Sequence, residues 1–126
     1  MPTQIALDDI LAISRADKYG DRPAVIIDVR GKDEYAAGHV KGAHNVPVQE
    51  LQTALALAPD AFKAAYGFVL PAVGAGTALA VHCMSGKRTL AAAKHLDPYG
   101  DDLLLYLPGW AAISASPSAV GQTEQS

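Results

Sequence analysis

Apolar residues in this chain are concentrated in three short runs, at 24–29 (AVIIDV), 78–82 (ALAVH) and 103–107 (LLLYL). The runs do not alternate with polar residues, which is typical of strands that are buried on both faces of a parallel sheet. Between the runs, apolar residues recur every three or four positions, as over 7–14, and this spacing favours amphipathic helices. Strands and helices that alternate along the chain predict an α/β fold.

The length of the chain, 126 residues, is typical of one domain with a single core. Residues 114–126 (SASPSAVGQTEQS) contain no large apolar side chain except Val120. A segment of this composition gains little by packing. We therefore expect one domain over residues 1–113 and a flexible C-terminal tail over 114–126.

Composition and charge exclude several classes of protein. Ten Lys and Arg against 13 Asp and Glu give a net charge of −3, which argues against a nucleic-acid-binding protein. The longest weakly polar stretch, 68–81, is interrupted by Pro71 and two glycines and is too short to cross a membrane. The first thirty residues lack the pattern of a signal peptide, and a single cysteine cannot form an intramolecular disulfide. These features predict a cytoplasmic protein.

The one cysteine, Cys83, lies between the second apolar run and a helix predicted over 86–95. The carboxyl ends of parallel strands carry ligand sites, and the amino end of the following helix offers free N–H groups. Gly86 allows the backbone to turn its amides toward an anionic sulfur, and Lys87 and Arg88 add positive charge. These conditions lower a thiol pKa, so Cys83 is a candidate nucleophile rather than an inert buried cysteine.

The residues around Gly86 do not match either of two other known motifs, the phosphate-binding P-loop and the serine-hydrolase elbow. A phosphate-binding P-loop needs Gly at position 81, which is Val, and Ser or Thr at position 88, which is Arg. A serine-hydrolase elbow around Ser85 needs Gly at positions 83 and 87, which are Cys and Lys.

Three motifs together resemble the rhodanese family of sulfurtransferases. They are DVR at 28–30, EYAAGHVKGAHNVP at 34–47 and CMSGKRT at 83–89, in this order along the chain. The run ALALAPDAFKAAYG and the Gly-Lys-Arg loop are also similar to the small thiosulfate:glutathione sulfurtransferases. The resemblance implies a rhodanese-like fold, with five mostly parallel strands in a sheet that helices flank on both faces.

The resemblance also implies the chemistry and the site. Cys83 would attack a small anionic donor such as thiosulfate and form a persulfide, with no cofactor and no metal. The acceptor would be external, either cyanide, a thiol such as glutathione, or a protein. The residues that would hold the donor and the persulfide are Met84, Ser85, Gly86, Lys87, Arg88 and Thr89. The supporting residues would be Asp28, Arg30 and Trp110, and we expect Arg30 to pair with Glu34.

Two alternative functions remain open at this point. The apolar segment 68–76 is compatible with a persulfide carrier or regulatory binding module that turns over small molecules poorly. A rhodanese-like phosphatase also uses a cysteine loop that ends in arginine. Four residues separate Cys83 from Arg88, and the phosphatase loop is one residue longer, so the spacing favours sulfur transfer.

Overall fold

The computed structural model describes residues 2–125, and its strands and helices are interspersed along the chain. The strands are β1 (Thr3–Gln4), β2 (Lys18–Tyr19), β3 (Arg22–Asp28), β4 (His39–Val40), β5 (His44–Asn45), β6 (Ala78–His82), β7 (Leu103–Leu105) and β8 (Thr123–Glu124). The helices are α1 (Leu7–Ala16), α2 (Lys32–Ala37), α3 (Val48–Leu55), α4 (Pro59–Tyr66), α5 (Lys87–His95) and α6 (Gly109–Ala115), and short 3₁₀ helices cover Asp97–Asp102 and Pro117–Ala119.

The sheet contains five parallel strands in the order β1, β7, β6, β3 and β5. This arrangement confirms the predicted fold class. The sequence did not predict β2, which pairs antiparallel with the start of β3. In the register of the sheet, Asp28 at the end of β3 lies beside His82 at the end of β6. Cys83 therefore leaves the sheet at the same edge as Asp28.

The middle residues of the central strands are apolar because helices cover the sheet on both sides. One face packs against α3, α4 and α5 and includes Ile27, Leu79 and Val81. The other face packs against α1 and α6 and includes Ile26 and Ala80. Successive residues of a strand point to opposite faces, so both sets must be apolar. Within residues 2–125, no helix is long and apolar enough to cross a membrane.

Residues 114–125, which belong to the segment that composition predicts to be a flexible tail, make contacts with the rest of the domain. Their strand β8 pairs antiparallel with β4, and the amide of Lys41 donates to the carbonyl of Gln122 at 2.8 Å. Ala119 is buried among the residues of α1 and α6. Backbone hydrogen bonds, the buried side chain of Ala119, and side-chain contacts from Gln122 to Ser14 and from Glu124 to His39 attach residues 114–125 to the domain.

Candidate active site

The cysteine loop joins β6 to α5 and wraps its backbone around one sulfur atom. Gly86, the residue before α5, has a φ of 104°, in the left-handed region that favours glycine. Its amide donates a hydrogen bond to the Sγ of Cys83 at 3.0 Å. A Cβ on Gly86 would also lie 2.9 Å from the carbonyl oxygen of Leu107. Glycine is therefore required at this position both by the turn and by close packing.

The environment of Cys83 favours its thiolate. The residue is 1% exposed, and burial, which is the largest single influence, raises its pKa. Hydrogen bonds from the Thr89 hydroxyl and from the amides of Thr89, Gly86 and Ser85 act in the opposite direction and outweigh burial, so the pKa of Cys83 lies below its ordinary value. Thr89 Oγ1 is buried and has no hydrogen-bond partner other than the sulfur within residues 2–125, so its proton is available to the thiolate.

Two carbonyl groups of the loop, those of Cys83 and Met84, accept hydrogen bonds from amides of α6. The amide of Trp110 donates to the carbonyl of Cys83 at 2.8 Å, and the amide of Ala111 donates to that of Met84 at 3.0 Å. The Nδ1 of His82 lies 3.0 Å from the same Cys83 carbonyl. With its carbonyls bound on one side, the loop can present its amides to Sγ on the other.

A buried ion pair supports the loop from beneath. Asp28 and Arg30 are 0% and 1% exposed, and the guanidinium donates to the carboxylate from Nε at 3.0 Å and from Nη2 at 2.7 Å. Nη2 also donates to the carbonyl of Gly38 at 2.7 Å, and the guanidinium lies 4.8 Å from the centre of the Trp110 ring. Burial lowers the pKa of the neighbouring His82, which is therefore neutral near pH 7. These contacts link Asp28, Arg30 and Trp110 into one cluster, which we call the scaffold.

Arg88 points away from the scaffold and pairs with Glu34. Its Nη1 and Nη2 donate to the two carboxylate oxygens at 2.6 and 3.0 Å. The expected pair between Arg30 and Glu34 is therefore wrong, because Arg30 is held by Asp28. The hydrogen bonds from Arg88 hold the pKa of Glu34 at about 2, below its ordinary 4.5. Gly31 also donates its amide to Glu34 at 3.1 Å, which fixes the carboxylate at the start of α2.

The structure separates the predicted loop residues into two groups. Ser85, Gly86 and Thr89 act directly on the sulfur through amides or a hydroxyl. The Lys87 side chain is exposed, and Met84 is half-buried with its carbonyl turned toward α6.

Sequence reasoning did not assign Gly109 to this site. This residue has a φ of 69°, and a Cβ there would lie 2.5 Å from the carbonyl oxygens of both Cys83 and Met84. The only signal in the sequence is a glycine directly before Trp110. That signal identifies a turn but does not show that the turn meets the cysteine loop.

A family model described as a rhodanese-like domain matches residues 13–116. The human thiosulfate:glutathione sulfurtransferase is 42% identical over 71 residues, which cover 56% of this chain and 61% of that protein. A Schizosaccharomyces pombe protein, whose name places it among mitochondrial thiosulfate sulfurtransferases, is 35% identical over 81 residues, or 64% of this chain and 56% of the relative.

The fold comparison extends over nearly the whole chain. A human single-domain sulfurtransferase superimposes with a TM-score of 0.77 and 29% identity, covering 92% of this chain and 98% of that structure. The sequence matches to the two curated relatives, by contrast, span less than two thirds of their lengths. Because the family model covers the whole cysteine loop and most of the sheet, this chain belongs to the rhodanese-like domain family.

Proposed function

We propose that this protein is a sulfurtransferase that moves a sulfane sulfur from a donor such as thiosulfate to an external nucleophile, through a persulfide on Cys83. One observation carries the proposal: Sγ of Cys83 lies at the end of a central parallel strand and accepts the Gly86 amide at 3.0 Å. The names of two relatives, a thiosulfate:glutathione sulfurtransferase and a thiosulfate sulfurtransferase, support the same chemistry.

In the first half of the reaction, the Cys83 thiolate attacks the outer sulfur of thiosulfate. A new S–S bond forms to Sγ, the S–S bond of thiosulfate breaks, and its electron pair leaves with sulfite. The product on the protein is a persulfide anion, so the negative charge moves one atom outward from Sγ. We propose that the amides of residues 84–89 stabilise this charge; those of Thr89, Gly86 and Ser85 already lower the pKa of the Cys83 thiol.

In the second half, an acceptor nucleophile attacks the outer sulfur of the persulfide. Cyanide would leave as thiocyanate and glutathione as its persulfide, and in each case the electron pair of the broken S–S bond returns to Sγ. Cys83 is the single cysteine of the chain, so the acceptor must come from outside it. This two-step transfer is a ping-pong covalent mechanism.

The test is the mass of the intact protein after incubation with thiosulfate. We expect the wild-type protein to gain one sulfur atom, to lose it on addition of cyanide or glutathione, and to show the matching turnover in steady state. Cys83→Ser should gain none. A folded wild-type protein that gains no sulfur from thiosulfate or from an organic persulfide would contradict the proposal.

The same assays separate the alternatives. A persulfide carrier would gain sulfur but show little steady-state turnover with small molecules. The observation that favours a carrier is the exposure of two apolar side chains, Val69 at 63% and Val73 at 55%. A phosphatase would hydrolyse an aryl phosphate. We expect no such hydrolysis, because the loop from Cys83 to Arg88 is one residue shorter than the loop of the related phosphatases. Stoichiometric sulfur transfer with fast turnover would favour the enzyme over both.

We place the reaction in the cytoplasm, a reducing compartment in which a lone thiol remains available. One relative carries a mitochondrial name, and the mitochondrial interior would satisfy the same chemical need. We propose small sulfur compounds, and in addition a protein thiol, as reaction partners. Fluorescent tagging of the full chain in its own cell is the measurement that distinguishes the compartments.

A further inference from the structure

The three basic side chains around the cysteine loop are engaged in different ways. Arg30 is fully buried, and its Nε and Nη2 donate to Asp28 and to the carbonyl of Gly38. Lys87 is exposed at the first residue of α5. Arg88 is partly exposed and lies close enough to Cys83 for their charges to interact. Arg88 is thus the guanidinium available to an anion that approaches the sulfur.

The available guanidinium is already occupied by a carboxylate of the same chain. Glu34 binds both terminal nitrogens of Arg88, at 2.6 and 3.0 Å, and the two side chains are 36% and 33% exposed. The Gly31 amide holds the same carboxylate from the other side at 3.1 Å. A donor that uses Arg88 must therefore compete with a fixed negative charge.

Resting on the proposed function, we propose that Glu34 is a specificity-determining residue: by pairing with Arg88 it disfavours sulfur donors with two negative charges relative to donors with one. A second charge on the donor is repelled by the Glu34 carboxylate and gains less from a guanidinium that is already neutralised. A singly charged donor meets the same pair with a smaller penalty. Glu34 acts through Arg88 and through its charge, without contact to the reacting sulfur.

Thiosulfate and methanethiosulfonate form a suitable pair of donors to test this inference. With thiosulfate, the thiolate forms an S–S bond to the outer sulfur and the electron pair leaves with the sulfite dianion. With methanethiosulfonate, the same bond forms and the electron pair leaves with the methanesulfinate monoanion. Both reactions leave the same persulfide on Cys83 and need no other reactant. The two donors differ by one unit of charge.

The experiment measures kcat/KM for both donors with one acceptor, cyanide, in the wild-type protein and in Glu34→Gln. We expect the ratio of thiosulfate to methanethiosulfonate activity to rise roughly three- to fivefold in Glu34→Gln, the size that a partly exposed charge pair supports. The rise in this ratio should come mainly from a lower KM for thiosulfate, and it should diminish at high salt. Differences in leaving group cancel because each ratio is compared with the same ratio in the wild type.

Glu50→Gln is the matched control. It removes one negative charge near the start of α2, where Glu50 contacts Lys32 and the Tyr66 hydroxyl rather than Arg88. An equal rise in Glu50→Gln would overturn the inference, because the effect would then follow net charge alone. An unchanged or lower ratio in a folded Glu34→Gln would also overturn it. If neither donor places sulfur on the wild-type protein, the proposed function fails as well, whereas an unchanged ratio with both donors active defeats only this inference.

Discussion

Gly109 lies so close to Cys83 that a Cβ on the glycine would come within 2.5 Å of the cysteine carbonyl oxygen. Its neighbour Trp110 donates its amide to that same carbonyl at 2.8 Å. The start of α6 and the cysteine loop are therefore in backbone contact, and the loop cannot keep its shape if this contact opens. The site depends on a residue with no functional group.

Gly109→Ala should disturb the loop and reduce sulfur transfer. The substitution places a side chain at a φ of 69° and against two carbonyl oxygens, so the unfolding free energy should fall by roughly 1–3 kcal/mol. Urea unfolding and persulfide formation on Cys83 measure the two effects. Gly20→Ala is the control, because Gly20 has a φ of 60° but no atom within 4 Å of an added Cβ. Equal losses in both variants would show that close packing at the loop is unimportant.

Thr89→Val should raise the pKa of Cys83. Burial raises this pKa and the Thr89 hydroxyl is the strongest of the hydrogen-bond donors that lower it, so removing the hydroxyl leaves burial less opposed. The rate of alkylation by iodoacetamide should then reach its midpoint at a higher pH than in the wild type, and sulfur transfer should recover partly as the pH is raised. Thr53→Val, on the exposed side of α3, serves as control. An unchanged midpoint would show that the hydroxyl does not reach the sulfur.

The fold and the cysteine loop could be predicted because their signals are local. The runs at 24–29 and 78–82 form the central strands β3 and β6, and residues 83–89 are contiguous in the chain. A strand-to-helix junction with glycine near its start is specified within a few residues. The only tertiary information needed is that parallel strands end at one edge of the sheet.

The contacts that complete the site could not be predicted because they join distant residues. Glu34 and Arg88 are 54 positions apart, and a local pair with Arg30, four positions away, was equally compatible with the sequence. The inward turn of Arg30 follows from the position of Asp28 at the end of β3, which becomes visible only with the sheet register. In the same way, the pairing of β8 with β4 is made by backbone atoms, which leave no signature in side-chain composition.

Arg30→Met should destabilise the fold strongly. It leaves Asp28, which is 0% exposed, as a buried charge without its partner, and removing one partner of such a pair costs about 3–5 kcal/mol. The double variant Asp28→Asn with Arg30→Met should lose less unfolding free energy than the two single variants lose in sum. Arg22→Met is the control, because the pair between Arg22 and Asp102 is partly exposed and should contribute less than about 1 kcal/mol. Urea unfolding measures the unfolding free energy of each variant. Similar losses in Arg30→Met and Arg22→Met would contradict the scaffold role of Arg30.

The stability that Glu34 contributes should depend on pH in a defined direction. Its carboxyl has a pKa of about 2 in the folded chain against an ordinary 4.5, so the contribution is complete above the ordinary value and is lost as the pH falls toward 2. The Glu34 side chain is 36% exposed, which limits the contribution to less than about 1 kcal/mol. The difference in unfolding free energy between the wild type and Glu34→Gln should therefore narrow as the pH falls from 6 to 3. Urea unfolding at each pH measures this difference. In an Arg88→Met background the same free-energy difference should change little with pH, because the hydrogen bond from Arg88 is the largest cause of the lowered pKa of Glu34. A difference that widens in acid, or that narrows equally without Arg88, would refute the pairing of Glu34 with Arg88.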